Sequence, residues 1–242
     1  MILKIYELGL SQTLYYLFFA LAFFTVYGFL IWFRKKIAIG LIKIILIEMI
    51  GSIFVLLVMF FLQRALSLLN WDIPIMNSYL NNMGRSFVFV PLIGIIVSRI
   101  VSVSWKKVCT VFSFSQSIVW GIASLGCLFP GCCTGYPCNW GIYNVRMETK
   151  VFPTQIINSI ALLTVAVFIY KRCKNNHFEP DGKEYPVTLI LIGAIRFLTE
   201  FIMWNEKIIF GLSSLSLDAL GMCIVGAILY VLIDKKEKQI KA

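Results

Sequence analysis

Four of the seven cysteines in this chain lie within one short stretch, at Cys127, Cys132, Cys133 and Cys138. A cysteine sulfur can act as a nucleophile, join a disulfide or bind a metal ion. Four glycines and two prolines fall in the same region, 124–141, so it cannot continue a helix. The stretch follows a long apolar segment with no charge between them. Irregular backbone at such a depth in a membrane is tolerated only where it is buried in protein or lines a wet cavity.

Several interpretations of these cysteines stay open. A disulfide between Cys138 and either Cys132 or Cys133 suits an oxidising outer face. A reactive thiolate requires a nearby cation, for which Arg196 and Arg146 are candidates. A zinc site is the weakest interpretation, because its motifs usually have closer pairs and the only histidine, His177, lies in a predicted cytoplasmic loop. We therefore expect no metal and no cofactor. The structural alternative is a tightly packed loop, since free cysteine buries readily.

The composition is that of a membrane protein. The chain has 242 residues, of which 60% are hydrophobic and only 14% are charged, and its mean hydropathy is +0.86. A soluble domain would be about a quarter charged. We predict an all-α, polytopic helical bundle that forms a single integral-membrane domain over residues 1–242. The net charge of +10 lies in short clusters between apolar runs, which indicates cytoplasmic loops and no nucleic-acid partner.

About seven transmembrane helices are predicted, each near the length that a helix needs to cross a bilayer. They cover 13–33, 37–62, 86–105, 108–129, 154–170, 186–204 and 213–233. Lysine and arginine are dense at 34–36, 106–107, 171–183 and 235–241, which should be cytoplasmic. This predicts an outside N-terminus, a cytoplasmic C-terminus and a cysteine-rich stretch on the outer side.

Four ionisable residues fall inside predicted spans: Glu48, Arg99, Arg196 and Glu200. Each costs a few kcal/mol at the bilayer centre unless it is paired, so each is a functional candidate. Arg196 and Glu200 are four residues apart, which places them on one helical face where they can pair. The structural alternative is an ion pair that only fixes helix packing. In the functional interpretation, Arg196 faces a cavity and Glu200 orients it.

Several blocks between Gly84 and the C-terminus match, in order, the motifs of one known family. Gly84-Arg85-Ser86 matches the G-x-S part of the family's third-span block. The run from Gly126 to Gly135 matches the family signature G-R-x-G-N-F-I-N-G-E-x-x-G. Phe152-Pro153-Thr154-Gln155 resembles H-P-[ST]-Q, and Arg196-Phe197-x-x-Glu200-Phe201 matches R-F-x-x-E-F. Leu215-Ser216 falls where the family has L-[ST]-x-G-Q. Together these blocks resemble the prolipoprotein diacylglyceryl transferases, and more closely their cysteine-bearing relatives.

The chain also departs from these family blocks at polar positions. The signature arginine falls on Ser124, and its two asparagines fall on Cys127 and Pro130. The signature glutamate falls on Cys132. The substitutions in the later blocks are Phe152 for the histidine, Ile157 and Asn158 for a tyrosine and a glutamate, and Ala219 for a glutamine.

The resemblance implies a multi-pass protein of the bacterial inner (cell) membrane that transfers a diacylglyceryl group from phosphatidylglycerol to a protein or peptide thiol at the outer leaflet. The anionic leaving group suits a buried arginine. The expected catalytic residues are Arg196, Glu200, Cys132 and Cys133. The expected substrate-binding residues are Arg85, Ser86, Gly126, Cys127, Gly131, Gly135 and Gln155.

Other interpretations of the function remain. If Cys132 or Cys133 is itself nucleophilic, transfer passes through a covalent intermediate. A non-enzymatic or thiol-redox membrane protein would instead use the cysteine loop for disulfide exchange or to gate a cavity. A transporter ranks last, because polar residues are not spread along several spans and no repeat is evident.

Overall fold

The computed structural model describes residues 2–68, 87–144, 146–205 and 212–241. The described residues are mostly helical. The helices are α1 (Ile2–Phe33), α2 (Leu41–Leu68), α3 (Val90–Val101), α4 (Trp105–Gly126), α5 (Thr154–Asn175), α6 (Glu184–Glu200) and α7 (Ser214–Lys241). Two short antiparallel strands, β1 (Pro137–Asn144) and β2 (Thr149–Val151), lie between α4 and α5.

Five of these helices, α1, α2, α4, α5 and α7, are long and apolar enough to cross a membrane. Their outward faces carry exposed large apolar side chains such as Phe24, Phe60 and Ile224, which would face water in a soluble protein. These are the features of a membrane-embedded helical protein. The other two helices are shorter than the spans expected from the sequence. Helix α3 has 12 residues and ends where Ser102 adopts a left-handed conformation (φ 53°), and α6 has 17 residues.

Helix α4 is the centre of the bundle. Within its membrane-length window 72% of the residues are buried, against 17% in α1 and 22% in α2 and in α7. It packs against α1, α3, α5 and α6. Phe114 of α4 lies 4.7 Å from the ring of Phe33 and 4.9 Å from that of Phe29, both on α1. A side chain placed on α4 can therefore meet residues from four other helices.

The basic clusters come together at one end of the bundle. The Lys36 ammonium lies 4.8 Å from the centre of the Phe178 ring, which joins the α1–α2 turn to the α5–α6 turn. Lys183 pairs with Asp234 near the end of α7 at 2.7 Å. The cysteine-rich stretch follows the other end of α4. The two regions therefore lie at opposite ends of the central helix.

The hairpin that follows the cysteine stretch is not predicted from the sequence. Tyr143 pairs with Lys150 and Asn144 pairs with Thr149, and an irregularity interrupts the register earlier in β1. The chain before the hairpin also pairs with the segment that follows α6, through a bridge between Gly135 and Met203. This connection fixes the cysteine stretch between α5 and α6.

Candidate functional site

The turn after α4 brings three of the cysteine sulfurs together. The Sγ atoms of Cys127, Cys132 and Cys133 all lie within 4.8 Å of one another. Cys127 caps the end of α4, and the Cys132 amide donates back to the Cys127 carbonyl at 3.2 Å. Gly131 closes this turn at φ 68°, a conformation that glycine adopts without steric cost. The turn thereby makes neighbours of sulfurs that are five residues apart in the chain.

The first turn of α5 fixes the backbone of the two adjacent cysteines. Thr154 Oγ1 donates to the Cys133 carbonyl at 2.5 Å, and Gln155 Nε2 donates to the Cys132 carbonyl at 2.7 Å. Cys133 itself has a φ of 54°, which is uncommon for a residue with a Cβ. A strained residue persists where surrounding contacts over-determine it. The two hydrogen bonds from α5 supply such contacts, so the thiols are held in a defined arrangement.

The three thiols are not equivalent. Hydrogen bonds from the Cys127 and Cys132 thiols lower the pKa of Cys133 well below its usual value, and the nearby Arg196 guanidinium lowers it further. The same contacts with Cys132 and Cys133, together with burial, raise the pKa of Cys127. One negative charge on the cluster is therefore best placed on Cys133.

Arg196 and Glu200 form the pair that their spacing predicts. Arg196 Nη2 lies 3.5 Å from Glu200 Oε1, and both side chains are nearly buried. The other carboxylate oxygen, Oε2, accepts hydrogen bonds from Asn205 Nδ2 at 2.8 Å and from Ser213 Oγ at 2.7 Å. The guanidinium also lies over the Trp120 ring, at 5.4 Å from its centre. Glu200 is thus held by its neighbours within ion-pair distance of Arg196.

Arg196 faces a small cavity of about 60 Å³, large enough for a few waters or a small anionic group. We call it the polar cavity after the Arg196, Gln155 and Asn158 side chains in its mostly apolar wall. Gln155 Oε1 and Asn158 Oδ1 are buried at this cavity without a hydrogen-bond partner. Buried polar atoms normally have a partner, so these two oxygens are available to accept hydrogen bonds from a ligand or water. The lining residues come from α1, α4, α5, α6, α7 and the cysteine turn: Tyr15, Trp120, Ala123, Ser124, Cys127, Cys133, Gln155, Asn158, Arg196, Leu215, Asp218, Ala219 and Met222.

A second, apolar cavity lies beside the polar one. It measures about 220 Å³, and α1, α2 and α4 line most of it. The Phe87 ring lines it and packs against Trp120, with ring centres 5.2 Å apart. Since Trp120 lines the polar cavity, this aromatic pair separates the two spaces. α1 touches α2 only lightly, so the apolar cavity lies next to a loosely packed helix pair.

The predicted glycines have packing roles in the structure. A Cβ on Gly126 would meet Phe18 of α1 at 3.0 Å, and one on Gly135 would meet the Phe152 and Ile202 backbones at 2.8 and 2.9 Å. A Cβ on Gly131 would meet the Asn144 amide at 2.6 Å. None of the three is among the described residues that line the polar cavity.

The remaining predicted residues lie in different places. Arg85 and Ser86 are outside the described residues. Cys132 belongs to the thiol cluster, although it does not line the cavity, while Cys127 and Gln155 do. All seven cysteines are free thiols, and Cys138 is not part of the cluster.

Neither of the other two intramembrane charges lines the polar cavity, although Glu48 lines the apolar one. Glu48 is buried on α2 and accepts a hydrogen bond from Ser115 Oγ at 2.6 Å. Arg99 is exposed on α3. A Glu48–Arg99 pair is therefore not formed.

Several lining residues gave no functional signal in the sequence. Tyr15 comes from α1, far from every motif, and Asp218 lies in an ordinary apolar stretch of α7. In the sequence, Trp120 is not distinguished from the other apolar residues of α4. Only the packing of α4 against α1 and α6, and of α6 against α7, places them at the cavity.

We expect Asn144→Ala to lower the free energy of unfolding by about 2–3 kcal/mol, because it leaves one buried carbonyl and two partly buried amides without partners. Asn144 Nδ2 donates to the Gly131 carbonyl at 3.2 Å, and its Oδ1 accepts from the Arg146 and Met147 amides. Thermal unfolding of the purified protein in detergent measures the effect. Asn139→Ala is the matched control, because Asn139 is exposed on the same strand. Equal midpoints for the two variants would contradict a role of Asn144 in fixing the turn.

Comparison with known proteins identifies no family. No protein-family model matches the chain. No curated protein matches it either.

Proposed function

We propose that the chain is a membrane transferase that moves a diacylglyceryl group from phosphatidylglycerol to a protein or peptide thiol at the outer leaflet. The observation that carries the proposal is one polar cavity that contains Arg196, oriented by Glu200, and two members of a thiol cluster. An arginine suits the phosphate of the leaving group. The thiols lie where a group that handles the acceptor proton is needed.

The matched family positions support the proposal by their clustering. Ser124, Cys127, Asn158 and Ala219 stand where the transferase blocks have an arginine, an asparagine, a glutamate and a glutamine, and all four line the same cavity. These positions come from three separate blocks, and unrelated matches would have no reason to converge. The altered side chains leave the cavity less charged than in the family pattern, so the chemistry depends more on Arg196 and on sulfur.

The neighbouring apolar cavity fits the lipid part of such a substrate. Apolar side chains from α1, α2 and α4 offer an environment for acyl chains, and the Phe87–Trp120 pair would separate these chains from the headgroup beside Arg196. The phosphate would then lie at the polar end, and the Phe87–Trp120 pair would have to move apart for one lipid to occupy both cavities.

The proposed topology has seven spans, with the N-terminus outside and the C-terminus in the cytoplasm. The five long apolar helices provide five of them, and α3 and α6 complete the number. The basic end of the bundle would face the cytoplasm and the cysteine turn the outer side, following the distribution of lysine and arginine. A bacterial inner membrane is the proposed location.

Transfer in reconstituted vesicles tests this function. Purified protein in phosphatidylglycerol vesicles is incubated with a synthetic lipobox peptide, and the peptide mass is measured. We expect the peptide to gain the mass of one diacylglyceryl group. A peptide with serine in place of the acceptor cysteine and vesicles of phosphatidylcholine alone are the controls. No mass gain from folded protein would overturn the proposal.

A thiol-redox function is the second candidate, because three sulfurs in mutual reach can form and pass on a disulfide. It predicts that the oxidised protein converts a dithiol peptide to its disulfide and becomes reduced in the process. Retained oxidation by a variant that lacks Cys127, Cys132 and Cys133 would exclude this role for the cluster.

A further inference from the structure

We infer that Cys127, Cys132 and Cys133 form a three-thiolate zinc site whose fourth ligand position opens into the cavity beside Arg196. The sequence spacing argued against a metal, because zinc motifs usually contain closer cysteine pairs. In the structure the wide spacing does not matter, because the turn after α4 brings all three sulfurs within 4.8 Å of one another.

The sulfur positions need little change to bind zinc. With Zn–S bonds of about 2.3 Å, the sulfurs of a tetrahedral site lie about 3.8 Å apart, so a movement of about 1 Å or less suffices. The backbone of Cys132 and Cys133 is already fixed by Gln155 and Thr154. Such hydrogen bonds around a metal site hold its ligands in place.

Ligand chemistry and charge favour zinc over other ions. Thiolate ligands select Zn²⁺, Cu⁺ or iron–sulfur clusters rather than Mg²⁺ or Ca²⁺. Three thiolates leave one net negative charge with Zn²⁺ and two with Cu⁺. Arg196 and Cys133 line the same small cavity, so the guanidinium can offset one charge. In a partly buried site the arrangement with the smaller net charge is the less costly one.

Three protein ligands leave one position of a tetrahedral zinc ion for water or substrate. Cys127 and Cys133 both line the cavity, so the open position would face it. A thiol that binds zinc loses its proton outright. Zinc would thus take the place of a histidine base. No histidine is among the described lining residues, and His177 lies at the opposite, basic end with Lys36 and Lys107.

A role for this position in catalysis rests on the proposed transferase function, whereas the metal site itself does not. The acceptor R–SH would bind zinc as R–S⁻ and release its proton to water. The sulfur lone pair then forms a C–S bond with the glyceryl carbon of phosphatidylglycerol. The C–O bond to phosphate breaks, and its electron pair leaves on glycerol phosphate beside Arg196. The products are a thioether, glycerol phosphate and the released proton.

Metal titration of the full-length, reduced protein in detergent tests the site. We expect one Zn²⁺ bound per chain by elemental analysis, and thiolate-to-metal charge-transfer absorption when Co²⁺ replaces zinc. Cys127→Ser, Cys132→Ser and Cys133→Ser should each weaken zinc binding by about 100-fold or more. Cys138→Ser and Cys223→Ser are matched controls, because neither sulfur belongs to the cluster, and should keep one equivalent.

Unchanged zinc affinity in the three cluster variants, or binding of Cu⁺ without Zn²⁺, would overturn the site. A small thiol or the lipobox peptide, added to the Co²⁺ protein, should shift the charge-transfer band if the fourth position accepts sulfur. No shift, or a diacylglyceryl adduct on Cys132 or Cys133, would overturn the activating role alone. Transfer without metal binding would refute the zinc site and leave the transferase proposal standing. Metal binding without transfer would refute the transferase proposal and leave the zinc site standing.

Discussion

Replacement of Arg196 by alanine should lower the rate of diacylglyceryl transfer roughly 100- to 1,000-fold, the usual effect of removing one donor that stabilises developing charge. In the proposed reaction an anionic phosphate leaves into the cavity where Arg196 is nearly buried and pairs with Glu200. Water that fills the space left by the side chain can hydrogen-bond the phosphate but brings no charge to offset it. The measurement is the initial rate of peptide mass gain in phosphatidylglycerol vesicles.

Arg196→Lys separates charge from geometry. Lysine keeps the positive charge but cannot present two parallel donors to a phosphate or lie flat over the Trp120 ring. We expect it to recover part of the rate and to remain at least about tenfold below the native protein. The control is Arg99→Ala, which removes an exposed arginine from α3 and should leave the rate nearly unchanged.

Thermal unfolding must show that each variant is folded, since Glu200 loses its charged partner in Arg196→Ala. A folded Arg196→Ala protein with the native rate would remove the arginine from the mechanism. An equal loss in Arg99→Ala would show that the effect is not specific to the cavity.

The helices and the Arg196–Glu200 ion pair could be predicted from the sequence because they depend on local spacing. Apolar length alone indicated every helix of the described bundle, and the i,i+4 spacing predicted the contact between Arg196 and Glu200. The ends of the helices were harder to predict. The third predicted span, 86–105, is shortened to the helix Val90–Val101 because Ser102 adopts a left-handed conformation. No glycine or proline in the sequence marks that turn.

The site itself could be predicted only in part. Cysteines five residues apart have no fixed relation until a turn closes, and here the turn depends on Gly131, on Asn144 of β1 and on Gln155 of α5. These contacts join segments that are far apart in the chain. The hairpin escaped prediction for a related reason, since its irregular register breaks the alternation that marks a strand.

Gly193→Ala should destabilise the protein by about 1–3 kcal/mol, the typical cost of overpacking a close interface. Gly193 lies on α6, where a Cβ would meet the Ala219 carbonyl oxygen and the Cys223 sulfur of α7 at 2.7 Å. The nearest atoms include α7 backbone, which cannot rotate away. Small residues that let two backbones approach are typical of membrane helix pairs.

Gly221→Ala is the matched control and should have the opposite sign. Gly221 lies on α7 between the two contacts of Gly193, yet its added Cβ would meet nothing within 4 Å. Alanine also lowers the entropy of the unfolded chain, so we expect a gain of about 0.4–1 kcal/mol. Thermal unfolding midpoints of the two variants in the same detergent measure the difference. Equal shifts would contradict the close packing of α6 on α7.

The same substitution connects packing to chemistry. Gly193 precedes Arg196 by one helical turn, so an α6 displaced from α7 carries the guanidinium with it. Ser213, just before α7, donates to Glu200, so the separation also pulls on the carboxylate that orients Arg196. Gly193→Ala should therefore lower the transfer rate about 100-fold even under conditions where the protein stays folded, because misplacement of a reacting group by about 1 Å has that effect. A folded variant with the native rate would show that the position of Arg196 does not depend on the α6–α7 contact.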